Sequence, residues 1–297
     1  MTSKSEQNKG LLATAGAFGW WGFVVIYWKN LTGYDSFELI FYRLVFSFIF
    51  LLAIIRIRGK WGVFVKSIKN PKVLRLHFFN GFLITGNWLA YVYAVTHERI
   101  LEGSLAYFMV PILNMAMGFL ILKEKLNRLQ LIAIALATAG VINEIIQFGA
   151  VPWLALVMAV SFAIYGMNKK RSNLGPVTAL AMETGLFFPL AVGGLVFMHF
   201  TGSTTFEITQ PSELLLAIST GTITIIPLLL FAYGASRVQL TTIGLFQFIA
   251  PSLKFGIGVY LYGEAFPPSK MITFALIWIA LFLYIFHLFS SRKSPNS

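Results

Sequence analysis

The sequence predicts an all-α polytopic membrane protein in which ten transmembrane helices form two inverted five-helix repeats, residues 1–149 and 150–297. Three observations carry that prediction. Of 297 residues, 57% are hydrophobic and only 11% charged, with mean hydropathy +0.76, where soluble domains are about one-quarter charged. Nearly the whole chain consists of apolar stretches separated by short polar breaks, and about 20 apolar residues suffice for a helix to cross a bilayer core. Setting residue n against n+140 pairs Phe108 with Phe248, Pro111 with Pro251, Leu113 with Leu253, Gly118 with Gly258 and Glu124 with Glu264, with no gap. The register extends back through Leu76 with Leu216, Gly81 with Gly221 and Leu105 with Leu245. An ungapped match over several helices points to internal duplication.

Taken in order, the first stretch, Gly10–Trp28, follows Lys4 and Lys9. It has no small-residue cleavage site and further spans follow at once, so it reads as a retained first helix and not a signal peptide. Phe37–Ile55, Val73–Val95, Glu102–Leu122 and Leu129–Phe148 complete the first half. Pro152–Met167, Pro176–His199, Pro211–Gly234, Thr241–Tyr262 and Ser269–Phe289 make the second. Five is odd, so the second copy enters the membrane from the opposite side. Repeats inverted about an axis in the membrane plane are a transporter design, with the substrate site near the midplane between them.

The +12 net charge is placed with a bias. Lys4–Lys9, Arg56–Arg75, Lys123–Arg128, Lys169–Arg171, Arg237 and Arg292–Lys293 together hold 18 of the 23 Lys and Arg residues. By the positive-inside rule these breaks and both termini face the cytoplasm. The basic loop Arg56–Lys72 then reads as a solvated face near anionic lipid, and no nucleic-acid partner is expected.

Enzyme chemistry finds no support. Cysteine is absent, which removes disulfides and thiolate sites. His77, His97, His199 and His287 fall near helix ends with no metal-ligand spacing, and they read as interfacial. There is no Walker loop, and Gly193-Gly194 reads as close helix packing. No catalytic residue, metal or cofactor is expected.

Polar groups inside spans are the candidates for a site. Pro111 and Pro251 lie near the middles of their helices, where each frees the carbonyl four residues earlier, at Tyr107 and Gln247. In hydrocarbon such breaks are tolerated facing a cavity or another helix. One turn beyond lie Asn114 and Lys254, themselves repeat partners. Each helix thus offers a polar pair straddling a proline, either lining a midplane pocket or hydrogen-bonding between helices. Ionisable groups within spans are costly and functional by default, and Arg43, Glu183 and Lys254 are the three here. Arg43 and Glu183 share a register position, yet inversion sets them roughly 10 Å apart along the membrane normal. A structural ion pair and a substrate or proton site both remain open for them. Glu102 and Glu144 read as interfacial. Asn80, Asn87 and Trp88 continue the polar lining, with Pro227 opposite Asn87 as another helix opening, and Trp21 and Trp88 are the aromatics placed to meet a ligand.

Phe246-Gln247-Phe248-Ile249-Ala250-Pro251-Ser252-Leu253, followed by Tyr262-Gly263-Glu264, resembles the ninth-helix signature of EamA-type members of the drug/metabolite transporter superfamily. Tyr107-Phe108-Met109-Val110-Pro111, continuing to Lys123-Glu124, is similar to the fourth-helix version. Gly86-Asn87-Trp88, Ser161-Phe162-Ala163-Ile164-Tyr165-Gly166 and Thr273-Phe274-Ala275-Leu276-Ile277-Trp278 resemble the RarD branch. The resemblance covers essentially the whole chain. It implies an inner-membrane carrier with a central cavity lined by helices of both halves, the fifth and tenth helices being peripheral, and it favours export. The expected partners are the bilayer and a small-molecule substrate, anionic or zwitterionic if Lys254 faces the cavity; a homodimer is compatible with the sequence. A lipid flippase or a non-transporting membrane partner is the alternative.

Overall fold

The structure is a computed structural model and describes residues 4–31, 33–97, 99–263 and 268–293. Glu264, the repeat partner of Glu124, and the side chains of Lys4, His287, Arg292 and Lys293 lie outside the described residues. Helix is the only regular structure among those described. The elements are α1 (Lys4–Lys29), α2 (Ser36–Ile57), α3 (Trp61–Ile68), α4 (Pro71–Thr96), α5 (Ile100–Ala116), α6 (Arg128–Phe148), α7 (Trp153–Arg171) and α8 (Pro176–Thr201). They continue as α9 (Pro211–Ala235), α10 (Leu240–Gln247), α11 (Ile249–Gly256) and α12 (Pro268–Lys293). Seven helical stretches among the described residues are long and apolar enough to cross a membrane, so this is a multi-pass membrane protein.

Local chemistry sets the boundaries. The Asp35 carboxylate accepts from Phe37 N and Glu38 N, both at 2.9 Å, and starts α2. Asn70 caps α4 ahead of Pro71, whose missing donor costs nothing in a first turn. Asn127 and Gln130 form a reciprocal capping box on α6. That helix ends at Gly149, whose φ of 74° is a left-handed conformation that glycine adopts without a Cβ clash. One helix was not foreseen: α3 lies within the basic loop expected only as a solvated face, with Phe64 and Ser67 buried.

The central prolines do not behave alike. α5 runs unbroken through Pro111 and α9 through Pro227, so the helix breaks expected at those two positions are absent. Near Pro251 the break is real, but it falls at Phe248, between α10 and α11. Both helices then widen into π-helix, Met117–Ile121 after α5 and Ile257–Leu261 after α11. These two segments are 140 residues apart.

The helices meet in a bundle whose main pairs are α2 with α8 and α9, α1 with α9 and α11, α7 with α4 and α5, α4 with α8, α5 with α10, and α6 with α12. Exchanging residues 140 apart turns α2–α9 into α8–α4, α1–α9 into α7–α4 and α1–α11 into α7–α5, and it returns α2–α8 and α6–α12 to themselves. Glycines allow the closest crossings. A Cβ on Gly81 would stand 2.8 Å from the Glu183 carbonyl oxygen, and one on its counterpart Gly221 would stand 2.7 Å from Ser47 N.

Two ends of the bundle are distinguished by their contacts. At the basic end, Arg237 holds Glu6, the Glu124 carboxylate accepts from the backbone N–H of Leu240 and Thr241, and Lys170 lies 3.7 Å from Glu124. At the far end, Glu38 accepts from Thr205 N and Oγ1, Tyr34 donates to Glu213, Glu102 accepts from Leu154 N, and Lys270 faces Glu144.

The exchange symmetry fails in two places. At the basic end α5 packs against α10, and α7 against α9; the equivalent far-end pairs, α5 with α11 and α1 with α4, approach less closely.

Candidate functional site

The crossing of α5 with α10 and α11 brings four of the predicted residues into two cross-helix pairs. Asn114 Nδ2 donates to Gln247 Oε1 at 2.5 Å, and Lys254 Nζ stands 4.1 Å over the Tyr107 ring. The 140-residue exchange converts one pair into the other, so the same crossing carries an amide pair on one side and a cation–π pair on the other. Their surroundings differ. Asn114 is fully enclosed and Gln247 nearly so; this side is a hydrogen bond between helices. Tyr107 is 39% accessible.

Arg43 of α2 is held in a similar way, on aromatic faces. Its Nε donates to Thr224 Oγ1 at 3.0 Å, and its guanidinium carbon lies 4.1 Å from the Trp88 ring and 5.2 Å from the Trp28 ring. It is also within electrostatic range of the Tyr107 hydroxyl. Tyr91 of α4 closes the arc, edge-on to Tyr107 with ring centroids 6.2 Å apart. No salt bridge to Arg43 or Lys254 occurs among the described residues. Both cations rest on aromatic faces, which attract a cation by about 0.5–2 kcal/mol and supply no neutralising charge.

Trp21 packs, tilted or edge-on, into an aromatic cluster with Phe18, Phe162 and Phe231, and Tyr165 lies parallel to Phe231. Asn87, expected in the lining, donates instead to Met158 O at 2.7 Å and Ser161 Oγ at 3.0 Å and fastens α4 to α7. Pro227 and Pro251 are buried in packing, as is Pro111.

Tyr165 joins this cluster to a network that the sequence reading missed. Glu183 does not pair with Arg43. Its carboxylate takes Lys169 Nζ at 2.7 and 2.6 Å, His77 Nδ1 at 2.8 Å, the Tyr165 hydroxyl at 3.2 Å and Asn80 Nδ2 at 3.3 Å. Asn168 in turn donates to Asn80. The side chains of Glu183, Lys169 and His77 are at most 2% exposed. Asn80 thus serves this network and does not line the cavity. His77 is corrected from an interfacial to a fully buried residue, and Lys169 from a solvated cation to a buried one, because α7 continues to Arg171 and carries Lys169 inward. The signal was available: Lys169 falls fourteen residues before Glu183, across a short Ser-Asn-Leu-Gly-Pro turn that folds α7 against α8. Glu102 is likewise buried, with Arg99 2.7 Å away.

The comparisons with known proteins agree over the chain's length. The model of the EamA-like transporter family matches residues 8–143. The uncharacterized transporter YojE of Bacillus subtilis (strain 168) is 38% identical over 99% of both chains. Protein RarD of Streptomyces exfoliatus is 38% identical over 95% of this chain and 89% of its own, and that of Escherichia coli (strain K12) is 34% identical over 98% and 99%. A solved crystal structure superposes with a TM-score of 0.71 over 92% of this chain and 96% of the other, at 18% identity, which speaks to the fold alone.

Proposed function

The chain belongs to the RarD-like branch of the EamA-type membrane transporters, and from that premise we propose that it carries a small anionic or zwitterionic metabolite by alternating access. The observation that carries this reading is the pair of cations, Arg43 and Lys254, with aromatic faces and a threonine hydroxyl, and no carboxylate, as their partners among the described residues. A substrate carboxylate supplies the charge that the protein withholds, and Trp88 and Tyr107 offer faces to its apolar part. Lys254, Arg43, Tyr107 and Trp88 are then the binding residues.

The same proposal assigns ten spans in two inverted repeats, residues 1–149 and 150–297. The exchange symmetry of the helix pairs and of the two π segments supports it. In α7, Lys169–Arg171 crowd a nineteen-residue helix, and charges near a span's end reach the interface or, like Lys169, find a buried partner. The basic end is the cytoplasmic side of the inner membrane, with both termini there, as the charge bias supports. The packing of α5 on α10 and of α7 on α9 supports a state closed toward the cytoplasm, and the looser far-end pairs support a mouth open outward. The second half would close in turn as the first opens, with export as the net direction.

A second reading, lipid flipping, has one observation on its side: an apolar groove along the flank of α11, lined by Leu253, Gly256, Ile257, Tyr260 and Leu261. One set of experiments separates the two. Phenylacetate, but not its neutral amide, raises the apparent melting temperature of the purified protein, since a ligand binding only the folded state stabilises it. Lys254→Met and Arg43→Met each weaken phenylacetate binding by roughly 10- to 150-fold, the loss of one charged hydrogen bond of about 1.5–3 kcal/mol. Equal response to acid and amide refutes the anion site, and scrambling of headgroup-labelled lipid in proteoliposomes establishes the flippase instead.

A further inference from the structure

The basic-end pairs that break the exchange symmetry, α5 with α10 and α7 with α9, are joined at one carboxylate. Glu124 follows the π segment after α5, and its two oxygens take the first donors of α10. Oε1 accepts from Leu240 N at 2.6 Å, and Oε2 from Thr241 N at 2.9 Å and Thr241 Oγ1 at 2.8 Å. The opening N–H groups of a helix have no partner within it and carry its positive dipole end, so an anion is held well there. Lys170, at the end of α7, donates to Val238 O in the turn before α10 and stands 3.7 Å from the same carboxylate. Two features aim Glu124. Lys123 has a φ of 52°, a left-handed conformation that residues other than glycine adopt rarely and at a cost. Gly118 leaves room for the carboxylate, since a Cβ there would stand 2.6 Å from Glu124 Oε2. The far end is built differently at the position matching Lys170. Its counterpart Asn30 is neutral and donates to Ile26 O in its own helix.

We propose that Glu124 and Lys170 form the lock of the basic end, and that this lock makes the chain rest open at its far end. For α5 to leave α10, the three hydrogen bonds to Glu124 must part. For α7 to leave α9, Lys170 must release Val238 O and the carboxylate beside it. Both separations pass through one group, so freeing Glu124 from α10 also removes the counter-charge of Lys170, and the two closures open together. Asn30 brings no matching cation to the far end, which tips the balance toward a shut basic end. The lock holds neither Arg43 nor Lys254, so it sets which state is populated and not what binds. The inference rests on the alternating-access reading above and deepens it, since it names what holds the resting state.

The chain has no cysteine, so a single introduced thiol reports local opening. Met115 of α5 is 1% exposed and packs against Gly244 of α10. Met115→Cys therefore meets N-ethylmaleimide only when this crossing parts, and its alkylation rate in detergent follows the open fraction. Glu124→Gln raises that rate by roughly 10- to 150-fold, the factor for one hydrogen bond to a charged group, and Lys170→Met raises it as well. Thr241→Val removes one of the three donors at nearly constant shape and raises it less than Glu124→Gln. Ala191→Cys on α8, fully enclosed against Ile40 and Leu44 of α2, reports general loosening and keeps the parent rate in every variant. The lock is overturned if either Glu124→Gln or Lys170→Met leaves Met115→Cys at the parent rate, or if Ala191→Cys accelerates in step with it. No ligand is added, so the result stands apart from the anion site. Spin labels at the exposed positions Ser104→Cys and Tyr260→Cys test the underlying reading separately. They draw together when Glu124→Gln and Lys170→Met are combined. An unchanged far-end distance beside a parted basic end refutes alternating access and leaves the lock in place.

Discussion

Glu183→Gln should destabilise the protein more than any other single change of equal size. The carboxylate sits at 0% exposure and receives Lys169 through both oxygens, with His77, Asn80 and Tyr165 completing its shell. The amide keeps the shape and one acceptor but leaves the Lys169 ammonium buried and uncompensated. Breaking a buried pair in this way costs about 3–5 kcal/mol. At roughly 2–4 °C per kcal/mol for chains of this size, the melting temperature falls by roughly 6–20 °C. Lys169→Met should cost less, because His77, Tyr165 and Asn80 still hydrogen-bond the carboxylate. The double variant Glu183→Leu with Lys169→Met removes both charges and should recover most of the loss, since replacing a whole buried pair by apolar groups is often neutral. Thermal unfolding in detergent, followed by tryptophan fluorescence, measures all four proteins. A double variant as unstable as Glu183→Gln refutes the reasoning, for it would place the loss in packing and not in the orphaned charge.

Two further outcomes are expected. Gly81→Ala and Gly221→Ala each push a methyl to within 2.8 Å of neighbouring backbone, Glu183 O in one case and Phe46 C and Ser47 N in the other. Overpacking of this kind costs typically about 1–3 kcal/mol, so both should lower the melting temperature, whereas Gly19→Ala, with open space around it, should not. Reporter fusions at Lys66, Lys123 and Arg171 should be cytoplasmic and one at Thr205 external; a cytoplasmic Thr205 overturns the inverted arrangement.

The helices were legible because each apolar stretch must satisfy its backbone internally, and hydropathy alone locates such stretches. The 140-residue register made the site partly legible too. It matched Tyr107 with Gln247 and Asn114 with Lys254, and these four residues do meet at one crossing. What the register could not tell is that Asn114 is enclosed and Tyr107 accessible, because that depends on how the other helices pack around the crossing. Lys169 was misread for a different reason. Three consecutive cations at a helix end ordinarily face water, and only the fold of α7 against α8 brings a carboxylate beneath the first of them. His77 follows the same logic, since its burial depends on Glu183, which is distant in sequence. Pro111 was expected to break α5; neighbouring helices enclose it instead, and the irregularity moves to the π turn six residues on.

The twin π segments, Met117–Ile121 and Ile257–Leu261, carry a consequence for the ancestry of the chain. A π turn is what an α-helix becomes when one residue is inserted into it, and such turns persist mostly where function retains them. Two independent insertions at the same register of two helices would be a coincidence; one insertion, copied when the gene doubled, would not. On the proposed duplication, the extra residue is older than the fusion of the halves, and the five-helix ancestor already possessed it. Such a unit, with an odd number of crossings, would assemble with a second copy inserted in the opposite sense. On the same reading Asn114 and Lys254 descend from one residue, and their amide and ammonium record how far the copies have since drifted.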